Sequence, residues 1–356
     1  MGGIKYERAY YYCPHCKHGD YPTDAEFGLV RQQTPATQEV VTLMGLLEPF
    51  DEGAHKVLPK LTGLSMSAAT VRRVTEAVGQ DVAEQRAAGK SFGADRVWKW
   101  HRDAQNQTVG YVGLDATAVP QQGPRGEREE GRMPWVGEVF NPFPVHPTGP
   151  HKRVGDARYV SGLMSLAEIS RQLRRECQAV GLGQVDVIVA LSDGGHGLEN
   201  ALLESVAGLG AAEVQFILDF YHVSEHVQEF AQALHAGNDA ARQQRVETWC
   251  HLVKHQGGRA LYEELQRLDV TTSTPVVQKS HRELLGYLRN NLHRMDYPTY
   301  TARGWQIGSG MIESACKTVV CRRMKVGGMR WREVGTTALC QLRALYRSEP
   351  ALWTAY

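Results

Sequence analysis

The chain has 356 residues, 42% hydrophobic and 22% charged, a composition typical of folded globular proteins with room for about two or three modest domains. Its 40 basic and 39 acidic residues leave a formal net charge of +1, so overall charge does not by itself indicate a nucleic-acid partner. Seven cysteines, an odd number, argue against a disulfide framework, and no apolar run approaches the roughly 20 residues of a membrane helix. We therefore expect a cytoplasmic protein with no membrane partner.

Residues 1–35 are rich in aromatic and turn-forming residues and contain a Cys-x-x-Cys pair, Cys13 and Cys16. This is the spacing of one zinc knuckle, but a tetrahedral site takes four ligands and no second such pair follows nearby. His15 and His18 are further donors, although adjacent side chains rarely converge on one ion. The segment is predicted to be a partial zinc-ribbon-like element, and whether Zn²⁺ binds stays open.

Residues 36–92 carry helical patterns at 37–47, 52–61 and 68–82, with Gly63 in a turn and Ser67 as an N-cap. Such an arrangement is typical of a helix-turn-helix DNA-binding domain, although any three-helix bundle can produce it. Arg72 and Arg73 on the second helix of the pair are the candidate DNA contacts.

Residues 91–107 are predicted to be a linker, and residues 105–225 to form an α/β core. Strand-like runs at 108–115, 135–140, 157–161, 185–193 and 213–218 alternate in part with helices at 165–180 and 197–206. The Gly-, Arg- and Glu-rich residues 121–133 are predicted to be a loop. This order predicts a mixed sheet with packed helices, followed by a helical insertion at 226–305 and completed by helices at 306–347.

Three acids stand out because of where they lie. Asp115 and Asp193 each end an apolar strand, and Glu313 opens a helical pattern whose later turns carry positive charge. Strand carboxyl ends in an α/β sheet usually carry functional groups, and carboxylates held close together repel until a divalent cation joins them. We predict that these acids are catalytic residues and ligands of Mg²⁺ or Mn²⁺ in a phosphoryl-transfer site. A strand-end Asp before Gly is also a common turn former, so that structural interpretation stays open.

The segment 314–347 contains eight basic residues and one acid, Glu333. Such a local excess predicts a phosphate-binding face, with a solvated charged face as the alternative. The candidate DNA contacts here are Lys317, Arg322, Arg323, Lys325, Arg330 and Trp331. For Trp331, packing in the core is favoured over stacking on an unpaired base.

A competing pattern is His-x-x-Glu-His, formed by His222, Glu225 and His226, which matches the inverted zinc-protease signature. Three fixed residues are a weak signal in a chain with 14 histidines. A zinc metalloprotease is nevertheless an alternative function.

Taken together, the motifs give the chain a resemblance to a family of bacterial insertion-sequence transposases of the DDE type, the ISKra group. The resemblance implies an RNase H-like fold with a helical insertion before the helix of the catalytic glutamate, and it makes Asp115, Asp193 and Glu313 the DDE triad. Asp219 and His222 match a D-x-x-H element that supports the active site. The matching segments are 10–19, 62–76, 113–119, 191–197, 217–226 and, above all, 307–331.

The same resemblance implies metal-dependent cleavage at transposon ends and strand transfer into target DNA, by a homodimer or higher oligomer on DNA. Proteins of this group usually have a longer N-terminal region with another Cys-x-x-Cys pair. A catalytically impaired, N-terminally shortened DNA-binding remnant is therefore the second hypothesis. An RNase H-like nuclease is the third.

Overall fold

The computed structural model describes residues 7–29, 33–93, 95–142, 154–349 and 352–356. Two π-helical segments, Gly53–Val57 and Cys316–Cys321, interrupt otherwise α-helical stretches. The strands are β1 (Tyr11–Cys13), β2 (His18–Asp20), β3 (His101–Arg102), β4 (Thr108–Ala116), β5 (Val119–Gln122), β6 (Arg128–Arg132), β7 (Trp135–Pro142), β8 (Val154–Gly162), β9 (Val187–Ser192) and β10 (Glu213–Leu218). The helices are α1 (Pro22–Glu26), α2 (Pro35–Leu47), α3 (Phe50–Glu52), α4 (Leu58–Thr62), α5 (Ala68–Ala87), α6 (Leu166–Ala179), α7 (Leu198–Val206), α8 (Phe220–Leu234), α9 (Asp239–Gln256), α10 (Gly258–Arg267), α11 (Pro275–Asn291), α12 (Tyr297–Ala302), α13 (Gly310–Ala315), α14 (Arg322–Met324) and α15 (Glu333–Arg347).

Among the described residues, the central sheet has six strands in the order β10-β9-β4-β7-β8, with the short β3 paired to the start of β4. Strands β4, β9 and β10 run parallel, whereas β7 is antiparallel to both β4 and β8. The prediction of a mixed sheet with helices packed on it is confirmed, and all five predicted sheet strands are present.

Both faces of the sheet are covered by helices. The side chains of β4 accordingly alternate between two apolar clusters, one on each face. Val109 and Tyr111 lie in the cluster that includes Ile312 of α13. Val112 and Leu114 point the other way, into a cluster formed with α6 and α7. Alternate residues of β4 therefore face opposite sides of the sheet and contact different helices.

The N-terminal helices are confirmed, and their caps match the sequence. Ser67 accepts a hydrogen bond from the backbone N–H of Thr70 at 3.1 Å, and Gly63 adopts a left-handed conformation with φ of 73°. Helix α5 continues beyond the predicted boundary and packs along α15. At Gly79 a Cβ atom would lie 2.5 Å from the carbonyl oxygen of Ala338, so the two helices approach closely only because this residue has no side chain.

The prediction of a loop at residues 121–133 is wrong, because β5 and β6 form an antiparallel hairpin there. A distant partner holds this hairpin: Gln122 N–H donates to the carbonyl of Trp331 at 2.8 Å, and Trp331 N–H donates to that of Pro120 at 3.0 Å. Pairing over some 200 residues leaves no local pattern in the sequence.

The segment between β10 and α13 is helical, as expected for residues 226–305, and its core includes Phe230 stacked on Trp249. Among the helices of the described residues, none is both long enough and apolar enough to cross a membrane.

Candidate active site

Two of the predicted acids lie side by side at one edge of the sheet. The last paired residues of β4 and β9 are Gly113 and Leu191, and Asp115 and Asp193 each lie two residues further along. Neighbouring strands are about 4.8 Å apart, and residues two apart share a face. Both aspartates are half-buried and belong to the face that α13 covers. Asp193 also accepts a hydrogen bond from Gly195 N–H at 2.9 Å, so it forms a turn as well.

Helix α13 brings the third acid to the same face. A Cβ atom at Gly113 would lie 3.4 Å from Cβ of Ile312, so α13 rests directly on β4 at a glycine. One turn later the Cys316 thiol donates to Oδ2 of Asp115, with 3.7 Å between sulfur and oxygen. Glu313 lies between these contacts, exposed in the first turn of α13, as predicted. The following π-helical turn is a feature that often accompanies functional sites.

The electrostatics of Asp115 show that the other two acids lie close enough to act on it. Burial raises the pKa of Asp115, and the negative charges of Asp193 and Glu313 raise it further, against hydrogen bonds from Ala116 N–H and the Cys316 thiol. Within the described ranges, none of the three carboxylates forms an ion pair with a cationic side chain. The region is therefore a patch of uncompensated negative charge.

Carboxylate oxygens without cationic partners are the donors that a hard divalent cation takes. With the side chains as they lie, however, no group of three or more His, Cys, Asp or Glu residues in the described part of the chain is arranged to hold a metal ion. The donor type and the charge fit Mg²⁺ or Mn²⁺, and the carboxylates would have to draw together to share one.

Asp219 joins the strand ends to the start of α13. It is 3% exposed, its backbone N–H donates to the carbonyl of Ser192 at 2.9 Å, and its carboxylate accepts from the N–H of Tyr221 and the hydroxyl of Ser309. Ser309 directly precedes α13. Asp219 thus connects the end of β9 with the residue that precedes the Glu313 helix, and its supporting role stays a prediction.

His222 has an acid of its own helix as a partner, and its supporting role stays a prediction. Its Nδ1 lies 3.2 Å from Oε2 of Glu225, and Nδ1 of His226 lies 3.5 Å from Oε2 of Glu229. The residues of the His-x-x-Glu-His pattern share helix α8, but each histidine faces an acid on its own helix. This arrangement gives no support to a zinc-protease site.

Two residues of the helical segment that the sequence did not single out border the acids. Arg294, 6% exposed, is held by Oδ1 of Asn291 at 3.0 Å and by Glu199 at 3.2 Å, and a Cβ at Gly194 would lie 3.3 Å from its guanidinium. The Tyr287 hydroxyl is buried, and its pKa is raised by burial, with Asp193 and Asp219 adding to the effect. Residues so distant along the chain carry no motif that would have marked them.

Most of the predicted DNA contacts are on the surface, namely Lys317, Arg322, Lys325, Arg330, Arg72 and Arg73. Lys325 is the best placed of them. Its Nζ donates to Oγ1 of Thr117 at 2.7 Å, two residues beyond Asp115. A cation therefore lies at the rim of the acidic patch.

Arg323 and Trp331 are buried, at 2% and 5% exposure. The prediction that Arg323 contacts DNA is therefore wrong, whereas the burial of Trp331 agrees with the core packing favoured for it. Arg323 Nε donates to the carbonyl of Gly45 at 3.0 Å, and its guanidinium stacks over Phe50 and Trp331. Burial lowers the pKa of Arg323 to about 10. Trp331 Nε1 donates to the carbonyl of Met324 at 3.0 Å, so the core-packing alternative describes it. These side chains attach the basic segment to the N-terminal helices.

Comparison with protein-family models finds no match, and comparison with curated proteins finds none either. The functional assignment therefore depends on the motifs and on the geometry described above. The motifs and the geometry agree on the three acids: the motifs single them out, and the fold places them at one edge of the sheet.

The Cys-x-x-Cys pair lies on the hairpin formed by β1 and β2, with Cys13 opposite His18 and Cys16 in the turn. Both thiols are free and exposed. Hydrogen bonds from the backbone and side chain of Cys16 lower the pKa of Cys13, which favours the thiolate. The hairpin offers two ligands, and zinc binding stays a prediction.

Proposed function

We propose that the protein is a DDE transposase that cleaves DNA at transposon ends and transfers the freed strand into target DNA. The observation that carries the proposal is the meeting of Asp115, Asp193 and Glu313 on one face of the sheet, without cationic partners. A cluster of carboxylates at strand ends, next to exposed basic side chains, suits a substrate that is itself a polyanion.

The strand order supports an RNase H-like topology for this core. Numbered along the chain, β4, β7, β8, β9 and β10 lie in the spatial order 3-2-1-4-5, and the second strand is antiparallel to its neighbours. The helical segment α8–α12 then occupies the position of an insertion between the fifth strand and the helix of the catalytic glutamate. Both features agree with what the resemblance to ISKra-group transposases implies.

The chain's own residues would divide the work as follows. Asp115, Asp193 and Glu313 would hold Mg²⁺ or Mn²⁺, which when bound supplies activation of the attacking oxygen and stabilisation of the leaving one. Lys317 and Lys325 would neutralise phosphates beside the scissile bond. Asp219 and Ser309 would keep α13 in register with the strands, because preorganisation of charge is what phosphoryl transfer asks of a protein.

The proposal is tested with the purified full chain, a supercoiled plasmid carrying the DNA that flanks its gene, and Mg²⁺ or Mn²⁺. We expect cleavage at the borders of the flanking DNA and joining of the released 3′ ends to a second plasmid. Asp193→Asn should abolish both steps, whereas Asp239→Asn, which removes an acid at the start of α9, should abolish neither. Cleavage by Asp193→Asn at the wild-type rate would refute the triad.

The same experiment separates the other candidate functions. Cleavage that is unchanged when the flanking DNA is replaced by unrelated sequence would identify a nuclease. Binding of the flanking DNA without cleavage by the wild-type chain would identify a DNA-binding remnant. Sedimentation of the protein with and without this DNA measures whether it acts as a dimer or higher oligomer.

A further inference from the structure

A cavity of about 500 Å³ lies between the N-terminal helices and the basic C-terminal segment. Its walls come from Phe50, from the first turns of α5, from the end of β5 and from the residues that lead into α15. The volume falls in the range of sites for small organic ligands, roughly 300–1,000 Å³. The cavity is distinct from the acidic patch, since none of the three acids lines it.

Four arginines line this cavity, namely Arg72, Arg323, Arg330 and Arg332. Arg323 is buried and donates to the carbonyl of Gly45. Arg332 donates to the carbonyl of Pro124 at 2.9 Å. Arg72 and Arg330 are exposed and form no hydrogen bond or ion pair with the residues that the structure describes. Two guanidinium groups are thus left to bind an anion, and phosphate is the anion that their forked geometry suits.

Two acids also line the cavity: Asp51, which lies 3.0 Å from Nδ1 of His55, and Glu76 on α5. Glu76 lies against the start of α15, where a Cβ at Gly335 would be 2.8 Å from its Oε1. Burial raises the pKa of Glu76, while the charges of Arg72 and Arg332 oppose that shift. A half-buried carboxylate beside arginines would repel phosphate, but it would accept hydrogen bonds from neutral N–H donors.

Two aromatic residues, Phe50 and Trp331, are also part of the lining, with the guanidinium of Arg323 stacked over both rings. Trp331 is fixed by its hydrogen bond to Met324 and meets Phe50 edge-on, with 5.8 Å between ring centroids. Aromatic walls, an anion site and a carboxylate acceptor together match the parts of a nucleotide. A duplex cannot enter a cavity of this size, whereas a single nucleotide turned out of a strand can.

We propose that this cavity binds one nucleotide of single-stranded or locally unpaired DNA, with its phosphate on Arg72 and Arg330 and its base edge on Glu76. Guanine fits best, because its N1–H and N2–H donate in parallel to the two oxygens of a carboxylate. The inference rests on the proposed function in taking DNA as the substrate. It assigns the cavity to strand recognition and leaves the chemistry to the acids.

The test measures binding by fluorescence anisotropy, with the full chain in EDTA so that no cleavage occurs. The probes are labelled single-stranded nonamers of thymidine with guanine, adenine, cytosine or thymine at the centre, and duplexes of the same sequences. We expect the guanine nonamer to bind most tightly. Arg72→Ala and Arg330→Ala should each weaken nonamer binding about tenfold, which corresponds to about 1.4 kcal/mol.

Matched variants separate the cavity from general attraction to DNA. Arg282→Ala, an exposed arginine on α11 that does not line the cavity, should bind every probe as the wild type does. Glu76→Gln keeps the size of the side chain and should remove the preference for guanine. Equal losses on duplexes and nonamers for Arg72→Ala and Arg330→Ala, or a guanine preference that survives Glu76→Gln, would overturn the proposal.

Thermal unfolding of each variant verifies that its fold is intact. Because the binding assay contains no metal ion, its result is independent of the cleavage assay. If the wild-type chain shows these binding effects but no cleavage, the transposase proposal is rejected and the nucleotide-binding cavity stands. If the wild-type chain transposes DNA but shows none of these binding effects, the cavity proposal is rejected and the transposase stands.

Discussion

The acids at the edge of the sheet and the buried acid Glu176 differ in whether their negative charge is paired with a cationic side chain. Asp115 and Asp193, which are half-buried, and Glu313, which is exposed, lie at the edge of the sheet and have no cationic partner among the described residues. Glu176 is 2% exposed and has two buried arginines beside it, Arg158 at 3.3 Å and Arg86 at 3.9 Å.

The difference separates charge that is left without an ion-pair partner from charge that is paired inside the fold. Glu176 of α6, Arg158 of β8 and Arg86 of α5 tie three elements together, and Gln341 of α15 accepts a further bond from Arg86 at 2.9 Å. Burying such a cluster costs desolvation energy that only mutual attraction offsets. The three acids at the sheet edge lack that compensation, so an external cation would relieve their repulsion.

The largest expected effect comes from removing one unpaired charge. Asp115→Asn and Glu313→Gln should each lower DNA cleavage by on the order of 10³-fold, as expected when a preorganised charged group is lost at a reacting centre. Neither variant should lower the melting temperature, because each removes repulsion. Cleavage rates and thermal unfolding of the same preparations measure both; a clear loss of stability would show that the patch holds the fold together.

Removing one buried charge should instead lower the stability of the fold. Glu176→Gln leaves two buried guanidinium groups without a carboxylate and should lower the free energy of unfolding by about 3–5 kcal/mol. Glu263→Gln, which removes an exposed acid 3.9 Å from Arg267, is the matched control and should change it by less than about 1 kcal/mol. Denaturant unfolding measures both, and similar values for the two variants would break the comparison.

Glu138 sharpens the comparison because it is a buried acid of another kind. It is fully buried in β7 opposite Gly113, and burial raises its pKa to about 8, with Tyr159 opposing the shift. A raised folded-state pKa means that the folded protein binds the extra proton between pH 4.5 and about 8. The stability contributed by that proton should fall across this window by about 1.4 kcal/mol per pH unit.

Glu138→Gln should lack this particular fall. The difference in unfolding free energy between wild type and Glu138→Gln, measured at several pH values, should therefore favour the variant increasingly up to about pH 8 and level off above it. A difference that stays constant with pH would mean that Glu138 is ionised throughout.

The smallest expected effect tests the link between fold and patch. Ser309→Ala removes the hydroxyl that donates to Asp219 and should lower cleavage about 10-fold, in the range found for groups that orient metal ligands. The metal-ion concentration for half-maximal cleavage should rise, and Ser309→Thr, which keeps the hydroxyl, should restore both. An unchanged metal dependence in Ser309→Ala would assign the bond to structure alone.

Local sequence patterns predicted much of the secondary structure. The strand at Glu213–Leu218 has the predicted bounds, and Ser67 caps α5 as its residue type suggests. The alternation and length of apolar runs, and the preference of hydroxyl side chains for helix starts, act over a few residues. Those signals are fully present in the sequence.

The misses share one physical cause, which is contact between residues far apart in the chain. Residues 119–132 form a hairpin because Trp331 pairs with it, and Arg323 is buried because the carbonyl of Gly45 and two aromatic rings surround it. From composition alone, the hairpin segment is predicted to be a loop and Arg323 a surface cation. Arg294, beside the Gly194 turn, belongs to a helical segment that shows no functional pattern.

The sequence by itself determined the identity of the three acids and the elements that carry them, since each lies at a strand end or in a first helical turn. Only the tertiary structure decided that they share a face. Their proximity depends on the parallel register of β4 with β9 and on the contact of α13 with Gly113. It also decided which members of the basic segment face solvent. A strand end or a helix start is a local property, whereas proximity and burial are properties of packing.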